Sequence, residues 1–177
     1  MTKITILKTD ITTLNVDAII NSANPSLLAG SGLCGLIHKM AGRELEQECK
    51  SLGDCAKGQA KITNGYNLNA KYVIHAVGPH YILDSATAAE LLESCYYCIL
   101  QLANEYDLKS IAIPSISTNI YQYPIIEASH IAFKTIQKIL KNQDSSLEEI
   151  ILAVKSDETK EIYEKLFTVY LSDLQPI

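Results

Sequence analysis

The chain has 177 residues, which is long enough for one buried core, and we expect residues 1–177 to form a single domain. Its hydrophobic content of 47% and charged content of 20% are ordinary for a globular protein. The formal net charge of -5 excludes a general electrostatic attraction to nucleic acid or anionic membranes, so we expect neither as a partner. An anionic ligand would have to be held by local groups.

The sequence shows no sign of export or of membrane insertion. No apolar run approaches the roughly 20 residues of a membrane-spanning helix, and the N-terminal residues lack the apolar core of a secretory signal. The five cysteines form an odd set without a secretory context. We therefore predict reduced thiols and a cytoplasmic location.

Apolar residues recur with strand spacing in some segments and with helix spacing in others. Strands are predicted at 4–8, 16–20, 59–66, 71–77, 110–114 and 149–154, and helices at 36–52, 85–106, 125–140 and 157–169. Asp157 is the predicted N-cap of the last helix. This alternation predicts a three-layer α/β/α sandwich with a central mixed, largely parallel sheet, in which ligands bind where the strands end.

The first loop (residues 21–38) lies between a predicted strand and a predicted helix. It contains the polar Asn24 and then Gly30, Gly32 and Gly35 within six positions. Glycines at this density let the backbone approach a ligand closely, and a helix N-terminus offers unpaired N–H groups to an anion. A flexible turn is the alternative interpretation, which we would prefer for an isolated Gly-x-Gly.

The second loop (residues 115–124) follows another predicted strand. Its small polar residues and Asn119, which tolerates a left-handed conformation, could aim several N–H groups at one point. Two such loops facing each other could hold a pyrophosphate between them. The Gly-Lys-Ser/Thr triplet of a P-loop does not follow the glycines.

Several short motifs occur in the same order as in one known family. They are Asp10-Ile11-Thr12, Asn-Ser-Ala-Asn at 21–24, the glycine-rich segment closing with Leu-Ile-His at 36–38, Gly-Gln-Ala-Lys-Ile-Thr-Asn-Gly at 58–65, Tyr-Val-Ile-His-Ala-Val-Gly-Pro at 72–79 and Ile-Ser-Thr at 116–118. Together they resemble a macrodomain, most nearly of the MacroD type, over roughly residues 3–170.

The resemblance implies binding of ADP-ribose or of ADP-ribosylated proteins by a monomer, without a cofactor or a metal. Asp10 would accept a hydrogen bond from the adenine amino group, and the Ile11 backbone would contact the neighbouring ring nitrogen. Asn24 would hold the distal ribose, and Tyr121 would lie over it. The diphosphate would be held by two segments, Gly30, Ser31, Gly32, Leu33, Cys34 and Gly35, and Ser117, Thr118, Asn119, Ile120 and Tyr121.

Three positions depart from the family pattern. Cys34 stands where MacroD-type hydrolases carry an Asp, and a neutral thiol is a poor general base. The usual Gly-Val-Tyr-Gly of the second loop is replaced here by Asn-Ile-Tyr-Gln at 119–122. Asn119 can take the left-handed conformation, whereas Gln122 is less permissive and is expected to narrow the pocket. Lys155 stands where an aromatic residue often stacks on adenine.

We therefore expect slow hydrolysis of ADP-ribosyl esters, either mono-ADP-ribosyl on Asp or Glu or O-acetyl-ADP-ribose. Asn24 would position the distal ribose, with no side chain acting as base. The alternative is a non-catalytic reader of ADP-ribosylated proteins. A minor alternative is a nucleophile–base pair of Cys34 and His38, four residues apart on one helix. His75 lies within an apolar strand, and we expect it to be a hydrogen-bonded core histidine.

Overall fold

The computed structural model describes residues 2–142 and 144–174. Within them, six strands and five α-helices follow one another along the chain. The strands are β1 (Lys3–Lys8), β2 (Ala18–Ala23), β3 (Ala60–Asn64), β4 (Tyr72–Val77), β5 (Ser110–Ile113) and β6 (Glu149–Val154). The helices are α1 (Gly32–Ala41), α2 (Arg43–Leu52), α3 (Ala88–Glu105), α4 (Ile125–Asn142) and α5 (Asp157–Tyr170), with short 3-10 helices at Ile11–Thr13 and Ser172–Leu174.

The six strands form one sheet in the order β1-β6-β5-β2-β4-β3. Every neighbouring pair is parallel except β3 and β4, which are antiparallel. This arrangement confirms the predicted α/β sandwich with a mixed, largely parallel sheet. None of the helices in the described residues is long and apolar enough to cross a membrane.

A separate hydrophobic core covers each face of the sheet. One core joins alternate strand residues, such as Ile111 and Ile113 of β5, to apolar residues of α3, α4 and α5. The other joins the residues between them, such as Ala112, to α1 and α2. Because successive side chains of a strand point to opposite faces, both faces of a central strand are buried. The parallel strands are therefore held in register, and their carboxyl ends lie together at one edge.

The predicted helix at 36–52 is wrong in one respect, because it is two helices. Gly42 separates α1 from α2 with φ of 94°, a conformation that side chains other than glycine rarely adopt. A Cβ atom at this position would also lie 2.7 Å from the side-chain nitrogen of Asn67. Helical spacing continues through the break, so the periodicity alone does not reveal it.

Two predicted element boundaries are also corrected. The strand expected at 16–20 lies at Ala18–Ala23, because Asn21, Ser22 and Ala23 continue the parallel pairing with β4. The N-cap of α5 is Ser156, whose hydroxyl accepts a hydrogen bond from the Thr159 N–H. Asp157 instead lies in the first turn of α5 and pairs with Lys8 at 2.8 Å.

Candidate active site

A cavity of about 610 Å³ opens at the carboxyl ends of four parallel strands. Thr9 lines it just after β1, Asn24 after β2, Pro114 after β5 and Lys155 after β6. Most residues predicted for the site also line it, namely Ile11, Asn24, Gly30, Ser31, Gly32, Leu33, Cys34, Ser117, Thr118, Asn119, Ile120 and Tyr121. The first and second loops therefore face each other across one cavity.

The N-terminus of α1, which falls within the first loop, lies at the cavity. Ser31 is the N-cap residue, and its side chain makes no capping hydrogen bond. Gly32, Leu33 and Cys34 form the first turn and line the cavity, where their N–H groups lack partners within the helix. An anion placed there would accept these hydrogen bonds and would interact favourably with the helix dipole.

Gly35 was predicted to contact the ligand, but it lies behind the cavity wall. It is not among the described residues that line the cavity. A Cβ atom at this position would lie 2.4 Å from the Gly30 carbonyl oxygen, so the backbone of α1 packs directly against the loop. The glycine is needed for this close approach, which holds the loop on the helix.

Asn24 and Cys34 both contact the carbonyl oxygen of Leu28. The Asn24 Nδ2 donates to that oxygen at 2.9 Å, and the Cys34 Sγ lies 3.6 Å from it. On its other side the Cys34 Sγ accepts from the Asn21 Nδ2 at 3.6 Å. The described hydrogen bonds do not join Cys34 to His38, so the geometry gives no support to a nucleophile–base pair.

The second loop holds two residues other than glycine in the left-handed region. They are Ser117, with φ of 65°, and Gln122, with φ of 56°. Asn119, which tolerates this conformation, does not adopt it, whereas the less permissive Gln122 does. The Asn119 carbonyl accepts from the Gln122 N–H at 3.0 Å and closes a turn. The turn places Tyr121 against the cavity, where burial raises the pKa of its hydroxyl.

The Ser117 side chain is buried, and its hydroxyl oxygen has no hydrogen-bond partner within the described residues. Its position is fixed by close packing, because a Cβ atom on Gly78 would lie 2.0 Å from this oxygen. The hydroxyl therefore has free hydrogen-bonding capacity beside the cavity. A bound ligand could use it.

The cavity offers an anion mainly backbone groups. Among the described lining residues, Lys155 is the only charged side chain, and the lining contains neither a carboxylate nor an imidazole. Negative charge would therefore be held by N–H groups of the two loops rather than by ion pairs. The described lining therefore lacks the groups that most often act as general bases, namely His, Asp and Glu.

Asp10 lies beside the cavity between two lining residues, Thr9 and Ile11, but it is exposed and is not among the described lining residues. Its Oδ1 accepts from the N–H and the hydroxyl of Thr12 at 2.9 and 2.7 Å. The carboxylate thus caps the short 3-10 helix at Ile11–Thr13. Its Oδ2 has no partner within the described residues, so the adenine contact stays a prediction.

Comparison with known proteins identifies the family. The Macro domain family model matches residues 20–132. The Macro domain-containing protein CT2219 of Chlorobaculum tepidum is 47% identical over 159 residues, which cover 90% of this chain and 92% of that protein. The ADP-ribose glycohydrolase MACROD1 of Rattus norvegicus is 42% identical over 95% of this chain and 66% of its own length.

The chain belongs to the Macro domain family.

Solved macrodomain structures share the fold at similar identity. The Oceanobacillus iheyensis macrodomain with ADP has a TM-score of 0.88 and 35% identity, covering 95% of this chain and 91% of that one. The Trypanosoma brucei macrodomain in complex with ADP-ribose has a TM-score of 0.85 and 35% identity, covering 92% and 68%. The resemblance inferred from the motifs is therefore confirmed.

Several lining residues of this macrodomain were not predicted. They are Thr9, Ser22, Ala23, Pro114, Ser115, Ala153, Val154, Ser156 and Thr159. All lie near the carboxyl ends of parallel strands, except Thr159, which lies in the first turn of α5. Because ligands bind at the carboxyl ends of parallel strands, most of these residues could have been predicted from the correct strand boundaries. The position of Thr159 at the cavity could not be predicted in this way, because it depends on the residue at which α5 begins.

A second polar group lies in the core between the sheet and helices α1 and α2. The ligand atoms of His38, Cys49 and His75 all lie within 4.8 Å of one another. However, His75 already faces Asn21 Nδ2 at 3.1 Å and Thr63 Oγ1 at 2.9 Å. The described His, Cys, Asp and Glu side chains supply three donors here, whereas a structural zinc site takes four. We interpret the group as a hydrogen-bonded part of the core, as expected for His75.

Proposed function

We propose that this macrodomain binds ADP-ribose and slowly hydrolyses ADP-ribosyl esters, with mono-ADP-ribosyl groups on Asp or Glu, or O-acetyl-ADP-ribose, as substrates. The observation that carries the proposal is the cavity itself, in which an open helix N-terminus and the second loop face each other across about 610 Å³. A diphosphate between them would meet N–H groups from both sides. Relatives named ADP-ribose glycohydrolase and macrodomains solved with ADP or ADP-ribose support this assignment.

The two ends of the bound ADP-ribose would lie at different strands of the sheet. β1 and β6 form one side of the cavity and would take the adenosine, with Ile11 and Lys155 against the base. β2 and β5 form the other side and would take the distal ribose, beside Asn24 and Tyr121. Asn24 is held by its hydrogen bond to Leu28, so it would meet the ribose in a fixed orientation.

Hydrolysis of a glycosyl ester at this site would use no side-chain base. A water molecule would attack C1″ of the distal ribose, the C1″–O bond would break, and the carboxylate would leave with the bonding electrons. The proton of the water would pass to a phosphate oxygen of the ligand. Because the described residues of the lining include no carboxylate and no imidazole, this route relies on positioning and gives slow turnover.

A turnover assay on a protein carrying a mono-ADP-ribosyl group on Asp or Glu tests the proposal. We expect release of free ADP-ribose at a rate that Asn24→Ala lowers by about 10-fold or more, on the scale of lost substrate positioning. Asn104→Ala is the matched control, since Asn104 contacts Ser146 and not the cavity. If the wild type binds ADP-ribose but releases none from any ester, the hydrolase proposal is wrong.

The second candidate is a non-catalytic reader of ADP-ribosylated proteins. The observation that favours it is Cys34, a buried thiol in contact with a carbonyl oxygen, in the cavity wall where an acid–base group would be useful. A reader would bind the same ligand with the same two loops. It would differ from the enzyme only in the turnover assay, in which the ADP-ribosyl group would stay attached to the substrate protein.

A further inference from the structure

The turn that joins β4 to α3 lies against the second loop from outside the cavity. We define this segment as the 78–84 turn. The Tyr81 N–H donates to the Tyr121 carbonyl oxygen at 2.9 Å. The ring of His80 lies 5.7 Å from the ring of Tyr121, and the ring of Tyr81 lies 4.9 Å from that of Tyr123. The backbone and the side chain of Tyr121 are thus both contacted by the turn.

The 78–84 turn is closed by two reciprocal hydrogen bonds between its ends. The His80 N–H donates to the Asp84 Oδ2 at 2.7 Å, and the Asp84 N–H donates to the His80 carbonyl at 2.9 Å. The His80 ring is held by a further bond, because its Nδ1 accepts from the Leu83 N–H at 3.4 Å. The turn therefore moves as one unit.

An ion pair with Lys57 connects the 78–84 turn to the segment that precedes β3. The Lys57 Nζ lies 2.8 and 2.7 Å from the two carboxylate oxygens of Asp84. The side chains are 33% and 18% exposed, so water screens this pair less than a surface pair. The hydrogen bond from Lys57 holds the pKa of Asp84 below its usual range. Lys57 lies just before β3, 27 residues before Asp84 in the chain.

The second loop needs an external constraint. Ser117 and Gln122 hold left-handed conformations that cost a residue other than glycine about 1–2 kcal/mol each. Such conformations persist only where the surrounding structure over-determines them. The turn at 119–122 closes with a single backbone hydrogen bond, from the Gln122 N–H to the Asn119 carbonyl. Within the loop, the Tyr123 N–H also donates to the Ser117 carbonyl at 2.9 Å, and the 78–84 turn adds contacts from outside.

We propose that Lys57, Asp84 and His80 are positioning residues that hold Tyr121 at the cavity through the 78–84 turn. This inference rests on the proposed function only for its effect on turnover. These three residues are not among the described residues that line the cavity, so replacing them removes no contact with a ligand there. They act on the ligand through the placement of Tyr121.

The direct test needs no ligand. The chain contains no tryptophan, so Tyr121→Trp introduces a single tryptophan at the position in question, and its emission can be excited apart from that of the tyrosines. In that background, Asp84→Asn and Lys57→Met should each raise the acrylamide quenching constant about two-fold or more, because the turn no longer restrains the residue. Lys57→Arg keeps a two-pronged pair with the carboxylate and should leave quenching unchanged.

The matched control breaks an ion pair elsewhere. Asp173 pairs with Lys141 at 3.0 Å, and Asp173→Asn should change neither quenching nor turnover. Hydrogen exchange checks the result without tryptophan, since the Tyr81 amide should exchange faster in Asp84→Asn and at the wild-type rate in Asp173→Asn. Unchanged exchange and unchanged quenching in both Asp84→Asn and Lys57→Met would overturn the proposal.

Kinetics then separate positioning from folding. In the chain with Tyr121 intact, Asp84→Asn should lower kcat about 10-fold while the Kd for ADP-ribose stays within about two-fold, because chemistry tolerates less displacement than binding. Lys57→Arg should retain the wild-type kcat. If quenching and exchange change as expected but the wild type shows no turnover, the positioning role stands and the hydrolase proposal fails. If turnover exists but neither probe responds, the reverse holds.

Discussion

Cys34 lies in the cavity wall at the position where a side-chain base could speed the proposed reaction. The residue is 6% exposed, and its Sγ lies between a donor, Asn21 Nδ2, and an acceptor, the Leu28 carbonyl oxygen. A carboxylate at this position would accept from Asn21 but would face the Leu28 oxygen without a proton to donate. Burial and that neighbour would both raise its pKa, which suits a general base near neutral pH.

We therefore expect Cys34→Asp to raise ester hydrolysis about 10-fold or more, the scale on which a positioned base acts. The measurement is single-turnover release of ADP-ribose, with the free energy of unfolding determined beside it. Cys34→Ser is the control, since a neutral hydroxyl should give no increase. If Cys34→Ala abolishes an activity that the wild type has, the thiol itself takes part and the water mechanism is wrong.

Asp10 has two possible roles that one substitution can separate. Asn at this position keeps an oxygen for Thr12, and so keeps the cap, but can turn an N–H toward the adenine amino group. If the carboxylate accepts from adenine, Asp10→Asn should weaken ADP-ribose binding by about 1–3 kcal/mol, measured by calorimetry. Thr12→Val, which removes only the hydroxyl bond to Asp10, should bind as the wild type does. Unchanged affinity in Asp10→Asn would leave the residue as a cap alone.

At the scale of the element, the strained backbone conformations of the second loop lie at residues whose types do not predict them. Gln122 is left-handed, whereas Asn119 is not. Gln122→Gly should raise the free energy of unfolding by about 0.5–1 kcal/mol, because glycine adopts this conformation without a steric cost. Asn119→Gly should lower it by a similar amount, since glycine there only adds freedom to the unfolded chain. Urea unfolding of both variants measures the difference, and a stabilising Asn119→Gly would contradict the assignment.

The elements that could be predicted from the sequence are those whose burial produces an apolar pattern. The strands β4, β5 and β6 are apolar runs because both faces of the sheet are covered, and apolar runs are visible in a sequence. The break at Gly42 was missed because the apolar spacing continues from Ile37 to Leu45 across it. In the same way, the motifs indicated both loops of the site, but the left-handed residues of the second loop depend on packing against Gly78 and the 78–84 turn. Such contacts are distant in the chain and leave no local pattern.

At the scale of the whole molecule, the buried network around His75 links stability to pH. With Asn21 Nδ2 donating to Nδ1, the proton of the neutral ring lies on Nε2, where Thr63 Oγ1 can accept it. Burial lowers the pKa of His75 to about 3 and also lowers the pKa of His38. Burial therefore disfavours a second proton on the ring, and the folded protein keeps His75 neutral at pH values where an unfolded chain would not.

The sign of the pH dependence follows from this difference. Below pH 6.5 the unfolded chain binds a proton at His75 that the folded protein does not bind, so stability is full above pH 6.5 and is lost as the pH falls toward 3. This one group should lower the free energy of unfolding by about 2 kcal/mol between pH 7.5 and pH 5, at about 1.4 kcal/mol per unit. His38 should add to the loss in the same direction.

Urea unfolding at pH 7.5 and pH 5 measures this loss. His75→Gln removes the titrating group but keeps an amide that can hydrogen-bond to Asn21, so it should be less stable at pH 7.5 and should lose less stability on acidification. His130→Gln is the matched control, because His130 is exposed beside Tyr170 and should leave the wild-type loss unchanged. If His75→Gln loses as much stability between the two pH values as the wild type does, the neutral histidine is not the origin of the acid sensitivity. The carboxylates and His38 would then have to account for it.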